Sequence, residues 1–154
     1  MGAIIDERLK QIINDKNSLK VIASQNVDGE LHVVYKQSLH VIDEDLLEFY
    51  EIIESSQNNK NMVNSIWYEV PVAINILSED RKSFEIKGVA HKAHVAGKYF
   101  EEKYVQLTDK GYYDLSTVWQ IKVIEVNEKT FKVKEQEALE QHPSYRHLDQ
   151  LLKD

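Results

Sequence analysis

The side chains best placed to bind an anion lie in Ser55-Ser56-Gln57-Asn58-Asn59-Lys60-Asn61-Met62-Val63-Asn64, between the apolar runs Leu46 to Ile53 and Val70 to Leu77. A run of small polar residues leads into a lysine and then a short helical pattern. A helix start presents unpaired N–H groups and about half a positive charge. The stretch can therefore hold a phosphate, with Lys60 adding a full charge. It can equally be a plain strand-to-helix turn, with Lys60 solvated in the first turn and Ser55 to Asn59 supplying ordinary turn chemistry.

The other chemistry-bearing residues form weaker patterns. His91 and His94 stand three apart, which would pair them on a helix, but on a strand they face opposite sides and share no metal. His142 and His147 flank a helix start and lack a matching carboxylate pattern. His32 and His40 read as strand-surface residues. Neither a Ser–His–Asp order nor a phosphate-loop glycine motif occurs. Glu101-Glu102 reads as a solvated helix face. The chain has no cysteine, which excludes disulfides, thiolate metal sites and thiol catalysis.

The 154 residues carry a net charge of −7. A chain this acidic, with its arginines scattered at Arg8, Arg81 and Arg146, is not expected to bind nucleic acid. Hydrophobic residues make up 42% and charged residues 29%, as in a globular chain with one sizeable core. No apolar run approaches the roughly 20 residues a membrane helix needs. Asp6, Glu7 and Arg8 stand where a signal peptide would need an apolar segment, so a cytoplasmic location is the default expectation.

The elements that must position these residues follow in order. Residues 3–15 place Ile5, Leu9, Ile12 and Ile13 on one helical face, and Asp15 to Ser18 ends that helix. Residues 19–25 and 31–38 are strands around an Asn26-Val27-Asp28-Gly29 hairpin turn, where Gly29 accepts positive φ. Val41-Ile42 ends a strand, and residues 46–53 form a third, so the three are expected to run as a meander. A short helix at about 60–67 precedes a strand at 70–77, with Pro71 near its start. Residues 83–95 form a fifth strand in which Gly88 marks a bulge or a close backbone approach. A helix follows at 97–107, a sixth strand at 117–126, and Thr130 to Lys134 reads as a seventh. Pro143 stands at a helix start, with Tyr145, Leu148, Leu151 and Leu152 on one side. The expected fold is a single α+β domain over residues 1–154. Its core is an antiparallel six- to seven-stranded barrel over about 3–134, with flanking helices and a helical tail at about 136–154.

This order resembles the FMN-binding split barrels, the superfamily of pyridoxamine 5′-phosphate oxidase. Val21-Ile-Ala-Ser-Gln, Asp28-Gly29 and Leu31-His-Val-Val are similar to that family's first hairpin. Lys60-Asn61 followed by Asn64 resembles its Lys-Thr-x-x-Asn segment. Val72-Ala-Ile-Asn-Ile, Phe84-Glu-Ile-Lys-Gly-Val-Ala and Val118 to Val126 resemble its later strands. The likeness covers about residues 3–134, and the small bacterial FMN-binding proteins look closer than the oxidase itself.

The resemblance implies FMN in a groove at a homodimer interface and a flavin-dependent redox role with an unknown substrate. Lys60 matches the phosphate lysine, and Asn61 replaces a usual threonine while keeping a side-chain donor. Tyr35, Lys36, Gln37 and Ser38 take the second-strand positions that touch phosphate, ribityl or ring. Ser56 and Asn64 complete the expected set, and Lys36 would supply the second positive charge that a phosphate dianion needs. Trp67 and Trp119 read as core or interface residues, either of which could border the ring. The oxidase's substrate and phosphate arginines are absent, which points away from pyridoxamine phosphate oxidation. That absence also leaves a second expectation, a flavin-free dimer binding haem or another planar ligand. A third is an interaction domain acting through its tail helix.

Overall fold

Asp6 opens the first helix by accepting the Leu9 N–H at 2.8 Å, and the helix α1 (Glu7–Asn14) buries Leu9 and Ile13. The structure, a computed structural model, describes residues 4–111 and 114–141. After α1 come β1 (Leu19–Gln25), β2 (Leu31–Tyr35), β3 (His40–Asp43), β4 (Leu46–Glu51), α2 (Gln57–Tyr68), β5 (Val72–Leu77), β6 (Ser83–His94), α3 (Lys98–Asp109), β7 (Thr117–Glu128) and α4 (Phe131–Gln141). The expected helix features of Pro143, Tyr145, Leu148, Leu151 and Leu152, and the residues His142 and His147, lie outside the described residues.

Among the described residues the seven strands form one antiparallel sheet in the order β2-β1-β5-β6-β7-β4-β3. The expected three-strand meander is therefore corrected. The chain makes two separate hairpins, β1–β2 and β3–β4, and they lie at opposite ends of the sheet. Alternation within a strand says which side is apolar but not which neighbour it pairs with. The first hairpin turns as expected, with Gly29 at φ +89°.

The sheet is not closed by its ladders. The short connection from β2 to β3 crosses the gap instead, and its side chains bond both flanks. Gln37 accepts the Lys20 N–H and donates to the Ser18 carbonyl, each at 2.9 Å. Ser38 Oγ accepts the Tyr50 N–H at 3.0 Å. Leu39, fully buried, anchors the crossing from inside.

The core fills the sheet with Ile22, Leu47, Phe49, Ile74, Ile76, Ile86, Trp119 and Ile121, plugged by Met62 of α2 and Ile13 of α1. A smaller cluster of Leu107, Leu115 and Val118 sits under α3 with Tyr50, Tyr99 and Phe100.

Two further expectations change. The helix α2 starts at Gln57, three residues earlier than the apolar pattern suggests, because Ser56 caps it by accepting the Asn59 N–H at 3.0 Å. The expected seventh strand at Thr130 to Lys134 is instead the start of α4. The β6–β7 ladder ends where Lys129 donates to the Ser83 carbonyl and Thr130 Oγ1 accepts the Ser83 N–H. Beyond that point, Lys, Glu, Gln, Ala and Leu dominate, and all are strong helix formers.

Gly88 does sit at a register shift between β6 and β7. A Cβ there would lie 2.6 Å from both the Ile121 side chain and the Lys122 carbonyl oxygen. The carbonyl belongs to the ladder and cannot yield. Gly88→Ala is expected to lower the urea unfolding free energy by about 1–3 kcal/mol. A change within error would mean that β6 and β7 approach less closely than described.

Candidate functional site

The helix α2 is seated by amides rather than by a broad apolar face. Asn58, Asn59 and Asn61 are all buried. Asn58 donates to Glu51 of β4 at 3.1 Å. Asn59 accepts from the Trp119 indole of β7 at 2.8 Å and donates to the Glu54 carbonyl. Asn61 donates to Ser24 of β1 at 3.0 Å and to Asn26 in the hairpin turn at 2.9 Å. Ser65 accepts the Ala90 N–H of β6 and donates to the Val70 carbonyl. Each buried amide must find partners, and these partners lie on different strands, so they fix both the position and the rotation of the helix.

This arrangement places each expected ligand residue. Lys60, at the fourth helical position, is exposed and makes no ion pair among the described residues. Asn61 has both side-chain N–H groups engaged. Ser56 serves as the cap. Asn64 is half-buried beside them. Gln37 and Ser38 bind the sheet flanks, while Tyr35 is 65% exposed. Lys36 pairs with Glu51 at 3.0 Å, both side chains being largely buried. Lys36 and the first turn of α2 thus meet through Glu51, a contact in which Lys60 takes no part.

Three cavities adjoin along this side of the molecule. Tyr35, Lys36, Gln37, Ser38, Tyr50 and Ile52 line one of about 200 Å³, closed by Leu107 of α3. Ile52 also borders a second cavity of about 580 Å³, whose walls include Glu54, Asn59, Val63, Phe100, Asp114 and Trp119. Val63, Ala93 and Trp119 are shared with a third of about 550 Å³, which reaches Ile66, Trp67, His91 and Lys92. The last two form a groove along α2, β6 and β7. Trp119 is buried at its base, and Trp67 stands 75% exposed at its rim. The β6–β7 register skips between Ala90 and Lys92, leaving His91 as the extra residue of a bulge. His94, by contrast, packs its ring 4.6 Å from Tyr99. Among the described residues no cluster of three or more His, Asp or Glu could hold a metal ion.

A second polar cluster, not foreseen in the sequence, lies behind the groove. Glu48 is fully buried on β4. It accepts from His40 Nε2 at 2.7 Å, from the Tyr99 hydroxyl of α3, and from Gln120 of β7 at 3.4 Å. Lys103 of α3 lies 3.9 Å away. His40 is thus a partner of a buried carboxylate rather than a free surface residue. Its other nitrogen faces the Ser38 carbonyl at 2.7 Å. Burial pushes the Glu48 carboxyl up, but the His40 and Tyr99 hydrogen bonds, the His40 charge and Gln120 together hold it below its usual value. Burial and the Glu48 charge raise the Tyr50 hydroxyl to about 12. Burial and Lys92 lower His94 against the pull of Glu48. The signal that could have found this cluster is Glu48 itself, an acid between Leu47 and Phe49.

With this geometry in view, comparison with known proteins gives a consistent architecture. No family model matches the chain, and no curated protein matches it. Solved structures do. HupZ of Group A Streptococcus superposes with a TM-score of 0.69 at 19% identity, over 83% of this chain and 96% of that one. An FMN-binding protein from Syntrophomonas wolfei gives 0.63 at 12% identity, over 79% and 84%. HutZ of Vibrio cholerae, described as a haem storage protein, gives 0.56 at 12%, over 81% and 94%. The chain has the split-barrel fold. No helix among the described residues is long and apolar enough to cross a membrane.

The Glu48 cluster sets the acid limit of this architecture. A carboxyl held below its ordinary value contributes stability that is fully present above the unfolded value, near 4.5, and is lost as pH falls through the folded one. The urea midpoint is therefore expected to fall as pH is lowered from 4.5. Glu48→Gln should cost about 1–3 kcal/mol at neutral pH and flatten that acid slope. An unchanged slope in Glu48→Gln would assign the acid sensitivity to other carboxylates.

Proposed function

We propose that this chain is a flavoprotein that binds FMN in the α2–β6–β7 groove, works as a homodimer and takes part in a flavin-dependent redox reaction. The observation that carries the reading is the groove itself, a slot with Val63, Ala93, Phe100 and Trp119 on its walls and Trp67 at its rim. A flat, mostly apolar ring system suits such a slot. The fold shared with the Syntrophomonas wolfei FMN-binding protein supports it. So do the exposed apolar side chains Leu31, Val33 and Tyr35 of β2 and Trp67 and Tyr68 of α2, which a second copy would cover.

The residues present fit the ring better than the phosphate. The N–H groups of the first turn of α2 would hold the phosphate, with Lys60 adding charge from the exposed side of that turn and Glu54 opposing it from the cavity wall beside Asn59. The bound flavin would supply the electron chemistry. Trp67, Trp119 and Phe100 would exclude water and orient the ring, and the Asn59 amide, fixed by Trp119, would border it.

A specific observation favours a second reading, in which the planar ligand is haem. His91 is turned out of the ladder into the groove beside Trp67, and HutZ, described as a haem storage protein, shares the fold.

The visible spectrum of the purified chain, followed by FMN and haemin titrations, tests both readings. Flavin absorption, or quenching of FMN fluorescence, is expected, and its absence removes the flavin reading. Lys60→Ala should weaken FMN binding by up to about fivefold, the worth of an exposed ion pair. Unchanged affinity would take Lys60 out of the site. A Soret shift with haemin that is lost in His91→Ala would instead support the second reading.

A further inference from the structure

We infer that Glu51 is a built-in anion standing where a ligand's phosphate would go, so that it lowers this site's preference for FMN over riboflavin. The inference rests on the flavin reading above and concerns which flavin the site takes. A phosphate site on such a scaffold needs a cation and a helix start. Lys36 and the first turn of α2 are that pair, and they face each other. Between them lies the Glu51 carboxylate, 3.0 Å from the Lys36 ammonium and 3.1 Å from the Asn58 amide. Its backbone is fixed and its side chain buried. Glu51 is paired with Thr117 in the β4–β7 ladder, its carbonyl accepts the Ser116 N–H, and it is only 2% exposed. Displacing it would leave a buried charge unpaired.

The surroundings act in the same direction. Lys36 lines the smaller cavity, and the larger one that adjoins it at Ile52 has Glu54 and Asp114 and, among the described residues, no lysine or arginine on its walls. Lys92 lines the groove at its far end beside His91. A dianion at Lys36 therefore meets a lysine already paired with Glu51, and one approaching through the adjoining cavity passes Glu54 and Asp114. An uncharged ribityl end meets no such opposition. Asn58 Oδ1 is also buried without a donor. A glutamine at position 51 could donate to it while accepting from Lys36, so the amide suits the site sterically and leaves the lysine charge uncompensated.

The test compares FMN and riboflavin affinities by fluorescence quenching. The wild-type chain should bind the two within about tenfold, and Glu51→Gln should raise the FMN-to-riboflavin ratio by about tenfold or more. In Lys36→Gln/Glu51→Gln the rise should vanish. A folded Glu51→Gln protein with an unchanged ratio overturns the inference, as does a rise that persists without Lys36. The wild-type chain decides the matter even if the variants do not fold, since a preference for FMN above about a hundredfold is incompatible with a resident anion. Wild-type binding of riboflavin keeps the flavin reading intact when this inference fails. Binding of neither flavin ends both.

Discussion

A seven-stranded sheet that curls without closing has two open edges, here β2 and β3, and the structure depends on how the gap between them is held. The chain spans it with residues 36–39 and secures that crossing from both sides. Lys20 is nearly fully buried, and its ammonium donates to the carbonyls of Leu39 at 2.9 Å and Gln37 at 3.3 Å. Burial pushes that lysine down, with Asp15 opposing, so the carbonyls must compensate for lost water. Gln37 and Ser38 complete the bonding on the β1 and β4 flanks. The crossing then delivers Lys36 to Glu51. Residues that a family likeness assigns to a ligand are thus the ones that hold the split together, and any ligand contact they make is additional to that work.

The same economy governs α2. A helix seated on a core usually presents an apolar stripe, yet here Met62 enters the core, Ile66 packs against it, and three asparagines and a serine make the hydrogen bonds. Buried hydrogen bonds add modest net stability, but an unmatched one is costly. Their effect is to permit one rotation of the helix. That rotation leaves Val63 and Trp67 along the outer side, with Ile66 between them and the core, where they form a wall of the groove. The polar seat and the apolar slot are two consequences of one sequence choice.

How much of this could be read in advance depends on the range of the interaction. Local rules placed the hairpin at Gly29, the bulge near Gly88 and the order of most elements. They failed where a distant partner decides. Nothing in Val41-Ile42 says that its partner is β4 rather than β2. Thr130 and Val133 favour strand until the end of the β6–β7 ladder and the following Glu and Lys residues are weighed. The apolar pattern alone starts the helix at about residue 60, whereas the Ser56 cap starts it at Gln57 and leaves Lys60 exposed in its first turn. The commitment of Lys36 was invisible because Glu51 lies fifteen residues on in another strand. Glu48 does not stand out in the sequence because alternation predicts one wet face for β4, and α3 covers that face.

Two acids of one strand therefore hold the walls of the groove. Glu48 and Glu51 stand three apart on β4 and face opposite sides. Glu48 receives Tyr99 and approaches Lys103, which seats α3 and with it Phe100 and Leu107 at the cavities. Glu51 receives Asn58 and Lys36, which seats α2 and the crossing. A buried carboxylate is costly unless its lone pairs find donors, so a shift of either helix would remove one donor from a buried carboxylate on β4, leaving His40 and Gln120 on Glu48 or Lys36 on Glu51. The charge beside the groove is set by the fold before any ligand arrives. A sequence with apolar residues at both positions could keep the split barrel, but it would lose the registry between the two helices and the neutralised lysine between them.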